Sequence, residues 1–261
     1  MMSKHFFSHV AVRHIWLVPL LVILMASSLW SADGLRDISH LKDLGDLDHN
    51  GNNDFGAIRN TANNGSELIA FEMTPDGSFD ITWRFALPEN LVGEWADFTL
   101  TDLNLNGRPE FVAITKLISA SAGNRAPWVY GFEWSGQDFD YVPTFQWGWT
   151  PDNGLYARPT QIKAGDIDND GLTELIFSLS APQANLLIVE FKGDLSSSNI
   201  QIEYAGLPKE MTRIPASILV AINDVDQDQK DDIVLFQKQG DKLSAAAISS
   251  SDEDRYATRN L

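Results

Sequence analysis

The 261-residue chain contains no cysteine, which excludes a disulfide framework, a thiolate metal site and a lipidated cysteine of the lipoprotein type. Basic residues are few: 19 Lys and Arg stand against 36 Asp and Glu. Nucleic acid, whose phosphates demand a basic surface, is therefore not an expected partner. Histidine is scarcer still, with only His40 and His49 beyond residue 28. His49 lies inside an acidic turn, so a Ser-His-Asp or Cys-His arrangement would rest almost on His40 alone. Beyond residue 28 the chain also lacks a long amphipathic helical pattern, which points to an all-β protein.

The one long apolar run, Ile15 to Met25, follows Lys4 and Arg13 and precedes Ala26, Ser27 and Ser28. That is the order of a secretory signal peptide, with cleavage expected after Ser28. The run is shorter than the ~20 residues of a membrane span, although its extension through Trp30 leaves an uncleaved membrane anchor as the alternative. Either way the expectation is export, to the periplasm, the cell surface or the extracellular space. Losing residues 1–28 removes Lys4 and Arg13 and no acid, so 17 bases and 36 acids leave a mature charge of −19. A strongly acidic exported protein suits a calcium-containing environment.

What the chain does have is a repeat, and a fixed period constrains architecture more than local propensity does. Four acidic nonapeptides align: Asp46-Leu-Asp48-His-Asn50-Gly51-Asn52-Asn-Asp54, Asp102-Leu-Asn104-Leu-Asn106-Gly107-Arg108-Pro-Glu110, Asp166-Ile-Asp168-Asn-Asp170-Gly171-Leu172-Thr-Glu174 and Asp224-Val-Asp226-Gln-Asp228-Gln229-Lys230-Asp-Asp232. Oxygen-bearing side chains occupy positions 1, 3, 5 and 9, and glycine occupies position 6 in three of the four. The first positions, 46, 102, 166 and 224, lie 56, 64 and 58 residues apart, a period suited to one four-stranded unit. Each nonapeptide leads into a short apolar run: Phe55 to Ile58, Phe111 to Leu117, Leu175 to Leu179 and Ile233 to Phe236. Further strand-like runs follow, often divided by turn residues such as Pro75-Asp76-Gly77, and another precedes each of the later loops.

In these features the sequence resembles the FG-GAP/VCBS family of repeats, the calcium-loop blades of integrin alpha-subunit propellers and of many bacterial exported proteins. The resemblance covers roughly residues 35–261, and its specificity resides in the four loops. It implies an all-β fold, a β-propeller of four-stranded blades, with repeats at approximately 35–90, 91–154, 155–208 and 209–261. Phe55-Gly56 echoes part of the family name, but no complete Gly-Ala-Pro triplet occurs, so the VCBS-like branch is closer. Family propellers commonly carry more blades than the four visible here, and the expectation leans toward an incomplete ring over a compact four-bladed one.

A hard divalent cation needs several oxygen ligands at about 2.3 to 2.6 Å, and alternating Asp and Asn side chains around a glycine turn converge on such a centre. The resemblance implies Ca2+ held by the side chains at positions 1, 3, 5 and 9 and by the position-7 carbonyls of Asn52, Arg108, Leu172 and Lys230. Ligand charge ranks the third loop tightest and the second, with only Asp102 and Glu110 as carboxylates, weakest. In the fourth loop Gln229 replaces the glycine, where a left-handed backbone would cost about 1 to 2 kcal/mol. The metal-free alternative is a set of Asx turns whose side chains cap their own backbone.

Trp147 and Trp149, at alternate positions, form a candidate ligand face for a sugar ring or a protein partner; the competing reading packs them in a groove between blades. Trp83, Trp95, Trp128 and Trp134 read as blade packing, and Arg125 and Arg158 as surface charge. Three function classes follow. The leading one is a binding or adhesion module for protein or glycan at the cell envelope; the others are a structural scaffold within a larger assembly and a propeller hydrolase or lyase.

Overall fold

The computed structural model describes residues 37–61, 65–91, 93–116, 127–149, 158–180, 186–206, 218–228, 230–239, 241–252 and 255–260. The signal segment, Arg125 and Gln229 lie outside the described residues. The repeats occupy one compact unit, Ser39–Leu261. Among the described residues no helix is long and apolar enough to cross a membrane.

The protein is an all-β propeller of four-stranded antiparallel blades. The first blade comprises β1 (Ile38–Gly45), β2 (Asp54–Asn60), β3 (Ser66–Met73) and β4 (Phe79–Ala86); the second comprises β5 (Glu94–Thr101), β6 (Glu110–Lys116), β7 (Val129–Glu133) and β8 (Phe145–Trp147). The third comprises β9 (Arg158–Gly165), β10 (Glu174–Ser180), β11 (Leu186–Phe191) and β12 (Ile200–Gly206). The fourth comprises β13 (Ile218–Asn223), β14 (Asp232–Gln239), β15 (Lys242–Asp252) and β16 (Arg255–Asn260). In each blade the strands pair in chain order, so every blade is a meander and the acidic nonapeptide joins its first strand to its second.

The middle strands are the most apolar and the most buried. Leu186–Phe191 is buried at every position, as is Glu110–Thr115 of β6. Such strands lie sandwiched between neighbouring blades, and so both faces of the pleat need apolar residues instead of the alternation of a half-exposed strand. Turn chemistry is as expected between β3 and β4: Gly77 takes a φ of +83° and donates to the Thr74 carbonyl at 2.9 Å, while the Asp76 carboxylate accepts from Ser78 N. Hydrogen bonds from Thr74 and Ser78 hold the Asp76 carboxyl down at about 2.

Three hydrophobic cores lie between consecutive blades. The first joins blades one and two through Trp83, Phe98, Phe111, Phe132 and Phe139; the second joins blades two and three; the third joins blades three and four through Ile176, Ile188, Val220 and Ile233. Among the described residues no corresponding cluster joins the fourth blade to the first. Aromatic edges and faces interlock in the first core, with the Trp83 ring 5.1 Å from Phe132 and 5.5 Å from Phe111. Each such pair adds about 0.5 to 1.5 kcal/mol beyond the area it buries. Gly131 makes room for part of the packing: a Cβ there would lie 1.9 Å from Cε1 of Phe145, its cross-strand partner.

Polar bonds stitch the first strands of successive blades together. Asp97 on β5, 3% exposed, accepts from Lys42 Nζ of β1 at 2.8 Å and from Ile162 N of β9 at 3.1 Å. One carboxylate thus bridges three blades. Gln161 on β9 continues the line by accepting from Val220 N of β13 at 2.8 Å. Burial lowers the Lys42 pKa, and the Asp97 charge opposes that shift.

Candidate metal centre

All four loops share one hydrogen-bonding scheme. The position-1 aspartate accepts from backbone N–H groups deeper in the turn: Gly51 N to Asp46 at 3.0 Å, Gly107 N to Asp102 at 2.7 Å, Gly171 N to Asp166 at 3.1 Å and Asp228 N to Asp224 at 3.2 Å. The position-3 side chain accepts from the position-5 N–H, at 3.1 Å for Asp48, Asn104 and Asp168 and 3.3 Å for Asp226. The position-5 oxygen accepts from the position-7 N–H: Asn52 N to Asn50, Arg108 N to Asn106, Leu172 N to Asp170 and Lys230 N to Asp228, at 2.7 to 2.9 Å. The position-3 and position-5 side chains thus each accept from the N–H two residues on, which is the Asx-turn pattern.

Position 9 closes the turn. Asp54, Glu110, Glu174 and Asp232 open the second strand of each blade and accept from the position-2 N–H of Leu47, Leu103, Ile167 and Val225, at 2.9, 2.7, 2.5 and 2.9 Å. These position-2 residues anchor the loops from below. Leu103 lies in the core between blades two and three and Ile167 in that between blades three and four, while Leu47 packs on the first core.

Glycine at position 6 has a positive φ in the three loops that carry it: +95° at Gly51, +81° at Gly107 and +91° at Gly171. The sequence reading missed a second left-handed residue at position 4, where His49, Leu105, Asn169 and Gln227 have φ of 59°, 55°, 63° and 64°. Asn169 tolerates that conformation well, while Leu105 carries no local compensation for it.

The charges gather unequally. In the third loop Asp166, Asp168, Asp170 and Glu174 place one oxygen each within 4.8 Å of one another; Asp46, Asp48 and Asp54 do so in the first loop, and Asp224, Asp226 and Asp232 in the fourth. Asp228 stands outside that fourth group. Loop two brings only Asp102 and Glu110 to amides Asn104 and Asn106. Glu110 and Glu174 are fully buried, and their Oε1 atoms accept no hydrogen bond; the same holds for Asp166 Oδ1. A buried carboxylate oxygen without a donor costs several kcal/mol unless a cation or a proton meets it. Desolvation pushes the Glu110 carboxyl up to about 7 and that of Glu174 up to about 8, with neighbouring acids adding to both, and burial likewise raises Asp54. A calcium ion fits this donor set, which is all oxygen, anionic and partly unsatisfied.

A further acid, which the sequence reading did not single out, stands directly across the ladder from position 9 in three blades. Glu72 pairs with Asp54, Glu133 with Glu110 and Glu190 with Glu174. Glu72 accepts from Asn50 Nδ2 at 3.0 Å, Glu133 accepts from Asn106 Nδ2 at 3.0 Å, and Glu190 pairs with Lys192. Its distance from position 9 varies with hairpin length, so only strand register reveals it. In the fourth blade Ser249 takes the place and donates to Asp232.

Trp149 is 2% exposed and belongs to the core between blades two and three, with its ring 5.7 Å from Phe177; half-buried Trp147 packs on the same core. The two rings contact each other at 5.3 Å, so Trp149 fills an inter-blade groove and Trp147 lies at its half-buried edge. Arg158 is exposed at the start of β9. Between the third and fourth loops lies a polar depression of about 290 Å³, lined by Asp166, Asn169, Asp224, Lys230 and Asp231.

No protein-family model and no curated protein matches the chain. A solved GH43 β-1,3-galactosidase, in complex with galactodeoxynojirimycin, is similar over 86% of this chain and 76% of its own, at 9% identity and a TM-score of 0.48. The blade architecture stands on the four sheets and the cores between them, independently of that likeness.

Proposed function

We propose that the protein is an exported calcium-binding propeller of FG-GAP/VCBS type, acting as a binding module for protein or glycan at the cell envelope. The observation that carries the calcium reading is the convergence of Asp166, Asp168, Asp170 and Glu174 in the third loop, where Oε1 of the fully buried Glu174 and Oδ1 of Asp166 are without a donor. The ions are structural: each relieves repulsion among converging carboxylates and locks the first strand of a blade to its second, so binding adds to folding stability. The module is then a rigid set of blades, and recognition falls to the loops at its ends. Calorimetric titration of the chelated protein with calcium, paired with thermal melts in calcium and in EDTA, tests the reading. Several ions bound and a large loss of melting temperature in EDTA are expected; no binding at millimolar calcium refutes it.

A second reading, a hydrolase or lyase on the same blades, draws on the depression between loops three and four, where Asp166, Asp224 and Asp231 stand beside Lys230. Glycoside cleavage uses two facing carboxyl groups, and Asp231 is the acid here that the calcium reading leaves unassigned. Turnover of chromogenic glycosides abolished by Asp231→Asn favours this reading, whereas calcium-dependent retention on glycan or protein arrays without turnover favours the first.

A further inference from the structure

We infer that the third blade holds a second divalent cation, outside its loop, in a cage formed by Glu174, Glu190 and Glu203. The three glutamates come from β10, β11 and β12, and one oxygen of each lies within 4.8 Å of the others. A triangle of that edge has its centre at most about 2.8 Å from each corner, close to the calcium–oxygen range. Glu174 and Glu190 are cross-strand partners, and Glu203 joins them where the register of β11 with β12 slips between Ile188 and Val189. Gln201 is the residue paired with Glu190, and Glu203 is the extra residue at the slip, lying between Tyr204 and Ile202, the partners of Ile188 and Val189.

Burial supplies the independent observation. Glu174 and Glu190 are both 0% exposed, and Oε1 of each accepts no hydrogen bond. Like charges directly opposite on a ladder repel even at a surface; inside the blade they require a cation or a proton between them. Lys192 provides one, pairing with Glu190 and, at 3.6 Å, with Asp170, and the Tyr256 hydroxyl donates to Glu203. Lys192 is paired within a group of six carboxyl groups, Asp166, Asp168, Asp170, Glu174, Glu190 and Glu203, which outnumber it. All donors are oxygen, which selects a hard cation over zinc or copper. Glu174 links the two sites, with Oε2 on Ile167 N beside the loop and Oε1 without a donor. The cage is particular to this blade: among the described residues no acidic group of this kind outside a loop occurs in the other three.

The inference goes beyond the loop reading and shares Glu174 with it, so the test separates the two. The full chain is stripped with EDTA and titrated with calcium chloride by calorimetry, alongside Glu203→Gln and the loop variant Asp166→Asn/Asp168→Asn. Each variant is expected to bind one ion fewer than the parent, and the combined variant two fewer. An unchanged count in Glu203→Gln overturns the cage; an unchanged count in the loop variant overturns the loop and leaves the cage standing. The amide oxygen that Glu203→Gln introduces can still accept from the Tyr256 hydroxyl, which favours folding of the variant. Anomalous diffraction from crystals of the unaltered chain soaked in terbium chloride needs no variant. A peak among the three glutamates supports the cage, and peaks confined to the loops refute it.

Discussion

The second and third loops follow the same backbone scheme and satisfy their charges in opposite ways. In loop two, Asn104 and Asn106 replace aspartates, and the acid across the ladder, Glu133, is met from within by Asn106 Nδ2 and by Arg108 at 3.4 Å. In loop three four carboxyl groups converge, and the acid across the ladder, Glu190, adds a fifth that pairs with Lys192. Amides and an arginine meet the acids of the one turn; the other gathers carboxyl groups whose oxygens are partly unmet. Shared loop geometry therefore carries two charge patterns, one turn that supplies its own donors and one rich in unmet acid, and the difference lies in which side chains can donate.

The sharpest way to break this comparison is Glu174→Ala set against Glu110→Ala. The former is expected to weaken calcium binding at the third loop about a hundredfold or more and to orphan the Ile167 N–H, at a further cost of about 1 to 3 kcal/mol. Glu110→Ala should cost the protein its Leu103 N–H acceptor but little calcium affinity. Calorimetry and melts in calcium read both effects, and equal losses of affinity would dissolve the distinction.

Next in size is packing beneath the loops. Leu103, 1% exposed, and Ile167, fully buried, anchor their turns in the inter-blade cores. Leu103→Ala should destabilise by about 2 to 5 kcal/mol and Ile167→Val by about 0.5 to 1.5 kcal/mol. Denaturation in EDTA and in calcium should return the same Leu103→Ala penalty if loop two is self-capped; a penalty that grows with calcium would show that an ion rests on it.

A smaller effect follows from pH. Both glutamate pKa values are raised on folding, so without metal their contribution to stability is full below the unfolded value and is lost as pH rises through about 7 for Glu110 and about 8 for Glu174. Melting temperature in EDTA should fall by a few degrees between about pH 5 and pH 9. Calcium, which binds the ionised carboxylate, should flatten the upper part of that slope. Glu174→Gln should remove the upper part in EDTA and Glu110→Gln the lower, as melts across the pH series would show.

The smallest effect is backbone strain at position 4. Leu105→Gly should relieve a left-handed leucine and stabilise loop two by on the order of 1 kcal/mol, whereas Asn169→Gly in loop three should change little. Differential scanning calorimetry resolves a shift of this size, and a destabilised Leu105→Gly would place the strain elsewhere.

Much of this was legible in the residues. The nonapeptide alternates ligand-type side chains with an apolar residue at position 2, and period and spacing carry both the blades and the loops. Neither β1 nor β16 carries an apolar strand pattern of its own: Ile38, Leu41 and Leu44 recur at threes in the one, and Arg255–Asn260 is largely polar in the other. Both are outermost in their sheet order, where one ladder neighbour replaces two and the apolar demand is weak. Trp147 and Trp149 admitted two readings because alternation alone does not say whether a strand face meets solvent or another blade.

Local chemistry determined the loops, since each turn is closed by hydrogen bonds among nine consecutive residues, and it determined the strands that follow them. Tertiary structure decided what surrounds those loops. Asp97 bridges three blades over a span of Lys42 to Ile162, and Glu190 and Glu203 reach Glu174 only through strand register and a bulge. Such contacts join residues whose separation in the chain is set by hairpin length and not by the repeat. No spacing in the sequence encodes them, because it is pairing across the sheet and packing between blades that bring these charges together.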